Sequence, residues 1–230
     1  MMGINSNQTL KTESMPILME FNVKQAMRDG VTLAADIYRP ESSKPVPVLL
    51  IRTCYSSTEA PIEVKKKILE DYKFFAQHGY AVVVQDVRGK NNSDGHFNPI
   101  FQEELDGFDT QSWCGLQPWS NGKVGTLGGS YLAWTQMMPA PLRNPYVKAM
   151  VWVVPPNDPF TNLPYRGGAF SPAQAAWAAV VDGRKNQSLL AFNDLNPLYA
   201  HVPLIDLDRA FGRNIPWLRE WLHHDTYDEY

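Results

Sequence analysis

Apolar and polar residues alternate over two stretches near the start of the chain, Phe21 to Met27 and Val31 to Tyr38. Between them lies Asp29-Gly30, and this dipeptide predicts a β-hairpin, because both residues accept the backbone twist of a tight turn. The residues ahead of the hairpin read as a flexible lead. Further on, alternation gives way to nearly unbroken apolar runs: Val46 to Arg52, Ala81 to Val87 and Lys148 to Val154, with a shorter one at Val124 to Leu127. Such runs mark strands buried on both faces. Between the runs the apolar spacing becomes helical. Ile62 to His78 places Ile62, Ile68, Leu69, Tyr72, Phe75 and Ala76 at near-helical intervals, and Gly79 follows as a C-cap. Glu103 to Leu116 reads as a helix whose early acidic residues suit the dipole. Tyr131 to Met138 reads as a third, stopped by Pro139.

Strands and helices therefore alternate, which predicts a mostly parallel sheet with helices on both faces. The pattern changes after Pro155-Pro156. Residues 171 to 224 are aromatic and proline-punctuated, with short helical patterns and no clear strand. Residues 1–155 are expected to form the sheet domain and residues 156–230 a helical cap.

Composition narrows the function. A 44% hydrophobic, 20% charged chain can bury a core and does not read as disordered. The net charge of -3 supplies no basic surplus for phosphates, so nucleic acid is not an expected partner. Lys65-Lys66-Lys67 reads as a solvated helix face. No run is long enough to span a membrane, and the polar start lacks an apolar signal core. Two cysteines, Cys54 and Cys114, are too few for a disulfide framework. A cytoplasmic protein is expected.

The chemistry centres on Val124-Gly125-Thr126-Leu127-Gly128-Gly129-Ser130-Tyr131-Leu132-Ala133. A strand runs into Gly-Gly-Ser and a helix starts at once. A serine on such a turn stands clear of the backbone at the end of the sheet, where small neighbours let strand and helix approach. The helix N-terminus faces the serine oxygen, where negative charge develops in acyl transfer. Gly-Gly-Ser is also a common plain turn. The usual elbow has glycine two positions after the serine, whereas this chain has Leu132.

Six strings in order extend the picture: Met27 to Pro40, Gln85-Asp86-Val87-Arg88-Gly89, Ser93-Asp94-Gly95-His96-Phe97, Asp106 to Thr110, Gln117 to Gly125, and Gly128-Gly129-Ser130-Tyr131-Leu132. With these the chain resembles the Xaa-Pro dipeptidyl-peptidase-like hydrolases, the group that includes cocaine esterase, α-amino-acid ester hydrolases and CocE/NonD-type acyl hydrolases. The resemblance implies an α/β-hydrolase fold. It also explains Leu132, since the family elbow reads Gly-x-Ser-Tyr-x-Gly, with Ala133 here in place of the final glycine. It implies that Ser130 is the nucleophile, that the Tyr131 backbone N–H and the Tyr55 hydroxyl stabilise the oxyanion, and that Trp177 lines the acyl pocket. From the residues alone, Tyr55 reads as a loop aromatic over the sheet edge, and Trp177 reads equally as a core tryptophan of the cap. Cys54 stands where the family usually has proline, and this is expected to loosen Tyr55. Asp86, Arg88 and Asp94 read as structural loop residues, and His78 as a helix-end histidine.

By the same resemblance the triad acid and histidine lie on strands after the cap, beyond Trp221-Leu222-His223-His224-Asp225-Thr226-Tyr227-Asp228. The last core strands are therefore expected to be missing, with the C-terminal end truncated, and the strand Lys148 to Val154 left with a bare edge. His223 or His224 with Asp225 or Asp228 reads as a solvated helix end rather than a substitute dyad. The resemblance implies a serine hydrolase of an ester or amide, with a small-molecule ester or peptide substrate and no cofactor or metal. The alternatives are an inactive remnant or interaction module, and one half of a split hydrolase whose sheet a second chain completes.

Overall fold

The computed structural model describes residues 15–55, 62–155, 158, 160–187, 200–210, 212–224 and 226. The predicted flexible lead lies almost wholly outside these residues, as do Asp225 and Asp228.

The hairpin is present. β1 (Ile17–Ala26) and β2 (Thr32–Pro40) pair antiparallel. Their turn closes where Met27 N–H donates to Val31 O at 2.8 Å and Gly30 N–H to Met27 O at 2.9 Å. Gly30 has φ +85°, a conformation that costs glycine nothing and other residues strain. The apolar runs become β3 (Val46–Thr53), β4 (Ala81–Asp86), β5 (Ser120–Gly129) and β6 (Val147–Val153). α1 (Ile62–Gln77) links β3 to β4, α2 (Glu103–Leu116) links β4 to β5, and α3 (Tyr131–Met137) follows β5 directly.

The sheet order is β1-β2-β4-β3-β5-β6. The last four strands are parallel and the hairpin is antiparallel to them. Each face carries its own apolar layer. Tyr38, Ile51 and Val82 pack against Leu69, Tyr72, Phe75 and Ala76 of α1. On the opposite face Ile37, Val48, Leu50, Val83 and Val124 pack against Trp113 and Cys114 of α2. The chain leaves β3 for β4 on one side and leaves β5 for β6 on the other, so the winding reverses between these two neighbouring strands. Such a reversal opens a crevice at the carboxyl ends of the strands, where α/β sheets bind ligands.

One expectation needs correcting. The apolar run at β6 predicts burial on both faces, yet Val151, Trp152 and Val153 are all strongly exposed. β6 is the edge of the sheet, bonded to β5 alone among the described residues. Its bare edge agrees with the expected one.

After residue 155 come two short paired strands, β7 (Tyr165–Arg166) and β8 (Ala169–Phe170), then α4 (Pro172–Val181), α5 (Leu207–Ala210) and α6 (Pro216–His223). Tyr165, Phe170, Ala175, Trp217, Leu218 and Trp221 share one buried cluster with Cys54, Val87, Ile100, Tyr131 and Trp134 from the sheet region. That cluster seats α4 and α6 over the carboxyl ends of the strands. No helix of the described residues is long and apolar enough to cross a membrane.

Candidate active site

Ser130 sits at the end of β5 with φ 56° and ψ -122°. A non-glycine residue at such angles is strained by roughly 1–3 kcal/mol and persists only where its surroundings enforce it. Here they do. Ser130 N–H donates to Val153 O of β6 at 3.0 Å, and Ser130 O accepts from Ala133 N–H at 2.9 Å, the first bond of α3. The Ser130 side chain stays exposed to solvent.

The glycine two positions earlier is required by the same turn. A Cβ on Gly128 would lie 2.3 Å from the Leu132 Cβ and 3.0 Å from the Leu132 carbonyl oxygen. Positions 128 and 132 meet across the turn, so one must lack a side chain. In this chain it is Gly128, which leaves room for a leucine at 132. Ala133 is fully buried, so the small residue there is packed against its surroundings.

Tyr55 follows β3, the neighbour of β5 in the sheet. Its hydroxyl neighbours the Ser130 side chain and accepts from the Trp177 indole N–H at 3.3 Å. Burial, followed by the neighbouring Cys54, pushes its phenol up to about 12, and bonding to Trp177 and Ser130 opposes the shift. The phenol therefore keeps its proton and remains a donor across the physiological range. Cys54 does not leave Tyr55 loose. The Tyr55 N–H donates to Thr53 Oγ1 at 3.0 Å, and the Cys54 side chain is fully buried in the apolar cluster. These anchors replace the restraint a proline would give.

Tyr131 is buried beside them. Its hydroxyl donates to Glu103 Oε1 at 2.7 Å and accepts from Ile100 N–H at 3.2 Å. Glu103 Oε2 takes Arg52 Nη1 at 2.6 Å, and Arg52 Nε donates to Gln85 Oε1 at 2.8 Å. Gln85 continues to Gln25 at 3.0 Å. Arg52 and Glu103 are 3% and 2% exposed, a fully buried ion pair. Burial pushes the Glu103 carboxyl up, and Arg52 and the Tyr131 hydroxyl pull it down. A pure dipole role for the acidic start of α2 missed this pairing. The signal in the sequence was Arg52 itself, a cation ending an apolar strand, which needs a buried carboxylate.

Trp177, on α4, is half-buried at the centre of an aromatic group. Its ring stacks on Tyr131, centroids 5.7 Å apart at 28°, and on Trp221, 6.3 Å apart at 7°. Trp217 meets it edge-on at 5.9 Å. The four sequence-derived site residues thus come together, although Ser130, Tyr55 and Trp177 reside on three separate parts of the chain.

Lys90 is a residue the sequence did not single out. Its fully buried ammonium donates to Val181 O at 2.6 Å and Gly183 O at 2.7 Å, at the end of α4, and lies 5.1 Å from the Phe97 ring centroid. Burial lowers its pKa to about 8 against the attraction of Cys54, Asp182 and Asp86. The neighbouring backbone completes the grip: Asn91 N–H donates to Arg184 O, and Arg184 Nη1 donates to Asn91 O and Ser93 O.

The remaining candidates are structural. Arg88 pairs with Asp106 and Asp29, and Asp86 accepts from Asn91 and Asn92. Asp94 contributes its backbone, its N–H donating to Thr32 O and its carbonyl accepting from Gly89 N–H. His78 Nδ1 lies 2.7 Å from Phe74 O at the end of α1. His223 is exposed in the last turn of α6. Among the described residues no group of three or more His, Cys, Asp or Glu side chains could hold a metal ion.

The model of the X-Pro dipeptidyl-peptidase (S15 family) matches residues 29–230. The chain belongs to this family. Cocaine esterase of Rhodococcus sp. (strain MB1 Bresler) is 35% identical over 226 residues, covering 90% of this chain and 39% of the esterase. The chain therefore spans well under half the length of that relative. Among solved structures, an α-amino acid ester hydrolase aligns with a TM-score of 0.73 and 25% identity, over 99% of this chain and 42% of its own. A CocE/NonD family hydrolase from Staphylococcus aureus aligns with a TM-score of 0.62 and 26% identity, over 87% of this chain and 39% of its own. The fold is that of an S15-family α/β-hydrolase.

Proposed function

We propose that this S15-family chain carries the nucleophilic half of a serine hydrolase that cleaves small esters or peptide amides. The observation that carries the reading is Ser130, exposed on an enforced turn at φ 56°, with the Tyr55 hydroxyl against it. The Ser130 hydroxyl adds to the acyl carbonyl carbon and loses its proton to a base. The carbonyl oxygen becomes the oxyanion and accepts hydrogen bonds from the Tyr131 N–H and the Tyr55 O–H, two donors fixed before the substrate arrives. Collapse of the tetrahedral intermediate expels the alcohol or amine, which takes a proton from the same base, and leaves Ser130 acylated. Water then repeats the sequence and frees the acid. Residues 156–230 act as the cap, and Trp177 walls the acyl side.

The base and its orienting acid enter from polypeptide outside the described residues. We place their entry at β6, whose exposed edge lies one strand away from the nucleophile's. A strand added there, from a continuing chain or a second one, would restore a covered sheet. The supporting facts are the exposed Val151, Trp152 and Val153 and the relatives' greater length.

A fluorophosphonate probe tests the reading. In the assembly that supplies the base, rapid labelling that disappears in Ser130→Ala is expected. Weak labelling that Ser130→Ala leaves unchanged would assign the chain instead to a non-catalytic interaction role.

A further inference from the structure

Trp177 touches the side chains of both residues that supply the oxyanion donors. Its indole N–H points to the Tyr55 hydroxyl oxygen at 3.3 Å, and its ring stacks on the Tyr131 ring at 5.7 Å. An indole N–H can only donate, so the phenol oxygen must accept. With that lone pair occupied, the Tyr55 O–H is left to face its remaining neighbours, the Ser130 hydroxyl and the weakly accepting Cys54 sulfur. Donation into a hydroxyl oxygen also polarises the O–H bond and makes it a stronger donor.

We propose that Trp177 is a positioning residue for the oxyanion site: its N–H aims the Tyr55 O–H at the oxygen that forms on the Ser130 adduct, while its ring holds Tyr131 beneath the second donor. This role rests on the serine-hydrolase reading and goes beyond an acyl-pocket wall, which any apolar ring could provide. Trp177 is itself braced. It lies nearly parallel to Trp221 and meets Trp217 edge-on, so the indole has little freedom to rotate away. α4 is in turn held at its far end by Lys90, Arg184 and Arg213, the last bonding Ala179 O and Asp182. The region after residue 155 thereby reaches the side chains of both Tyr55 and Tyr131 through Trp177.

Two readouts on the full chain, in any assembly it forms, test the proposal. The first needs no activity. In a ¹⁵N-labelled sample, Trp177→Phe assigns the Trp177 indole N–H signal by its loss. Tyr55→Phe, which removes the acceptor, should move that signal markedly in the wild-type Trp177 background. An unmoved signal would overturn the proposal. The second is hydrolysis of a 4-nitrophenyl ester. Trp177→Phe keeps an apolar ring, so KM should hold while kcat falls about tenfold, a part of the loss expected for removing a donor outright. In Tyr55→Phe, adding Trp177→Phe should cost little more, because the aimed group is already gone. Losses that multiply, or a change confined to KM, would mean a pocket wall only and overturn it. An inactive wild type would defeat the serine-hydrolase reading, and the indole signal would still decide whether Trp177 grips Tyr55.

Discussion

The hydroxyl of Tyr55 meets the side chain of Ser130 across the gap between the ends of β3 and β5, two strands that are neighbours in the sheet. Seventy-five positions of sequence separate them, yet the register of a single parallel ladder sets their approach. Removing the hydroxyl in Tyr55→Phe leaves the ring and its packing in place. Ester hydrolysis should then lose about 10²–10³ in kcat, the usual loss for one oxyanion donor. Stopped-flow acylation with a 4-nitrophenyl ester measures it. A variant within threefold of wild type would show that Tyr55 does not face the oxyanion.

Gly128 meets Leu132 across the same turn. Gly128→Ala places a methyl group 2.3 Å from the Leu132 Cβ. Overpacking of this kind costs roughly 1–3 kcal/mol, and the turn that holds Ser130 must shift to relieve it. Stability by urea titration and fluorophosphonate labelling should fall together. Leu132→Gly in the Gly128→Ala background removes the clashing Cβ and should restore part of the labelling rate.

The pair Arg52–Glu103 is buried on both sides, and Arg52 Nη2 has no hydrogen-bond partner among the described residues. Glu103→Gln preserves the shape and an acceptor for the Tyr131 hydroxyl but strands the guanidinium charge. Losing one member of a buried pair costs about 3–5 kcal/mol. Chemical denaturation should show that loss. Arg52→Met with Glu103→Gln, which strands no charge, should recover much of it.

Lys90 gives the fold a pH dependence of definite sign. Its pKa is about 8 in the folded chain and near 10.5 when unfolded. Between those values the unfolded state holds more protons, so stability rises with pH. The contribution is complete above the unfolded value and is lost as pH falls through about 8. Thermal melts from pH 7.5 to 10 should show a stabilising slope from this group. In Lys90→Met that slope should flatten relative to wild type.

The fold was legible because its strands announce themselves. β3, β4 and α2 fall within a residue of their expected bounds. β5 runs longer than its apolar centre, starting at Ser120, because ladder bonds to β3 and β6 carry polar residues and glycines that periodicity cannot see. β6 shows the complementary failure. An apolar run reveals that a strand suits neighbours on both sides, and says nothing about whether they are there. At the site, Gly-Gly-Ser between strand and helix was readable because the turn is local. The contact from Trp177 to Tyr55 spans 122 positions, and that from Arg52 to Glu103 spans 51. Only the folded sheet brings such pairs together.

One apolar cluster unites Cys54, Ile100 and Tyr131 with Tyr165, Trp217 and Trp221. A lid that swings on a hinge needs a dry, separable interface of modest size; here opening would expose buried tryptophans and tear Lys90 from two carbonyls. Among the described residues, the region after residue 155 is therefore built into the same core as the end of the sheet.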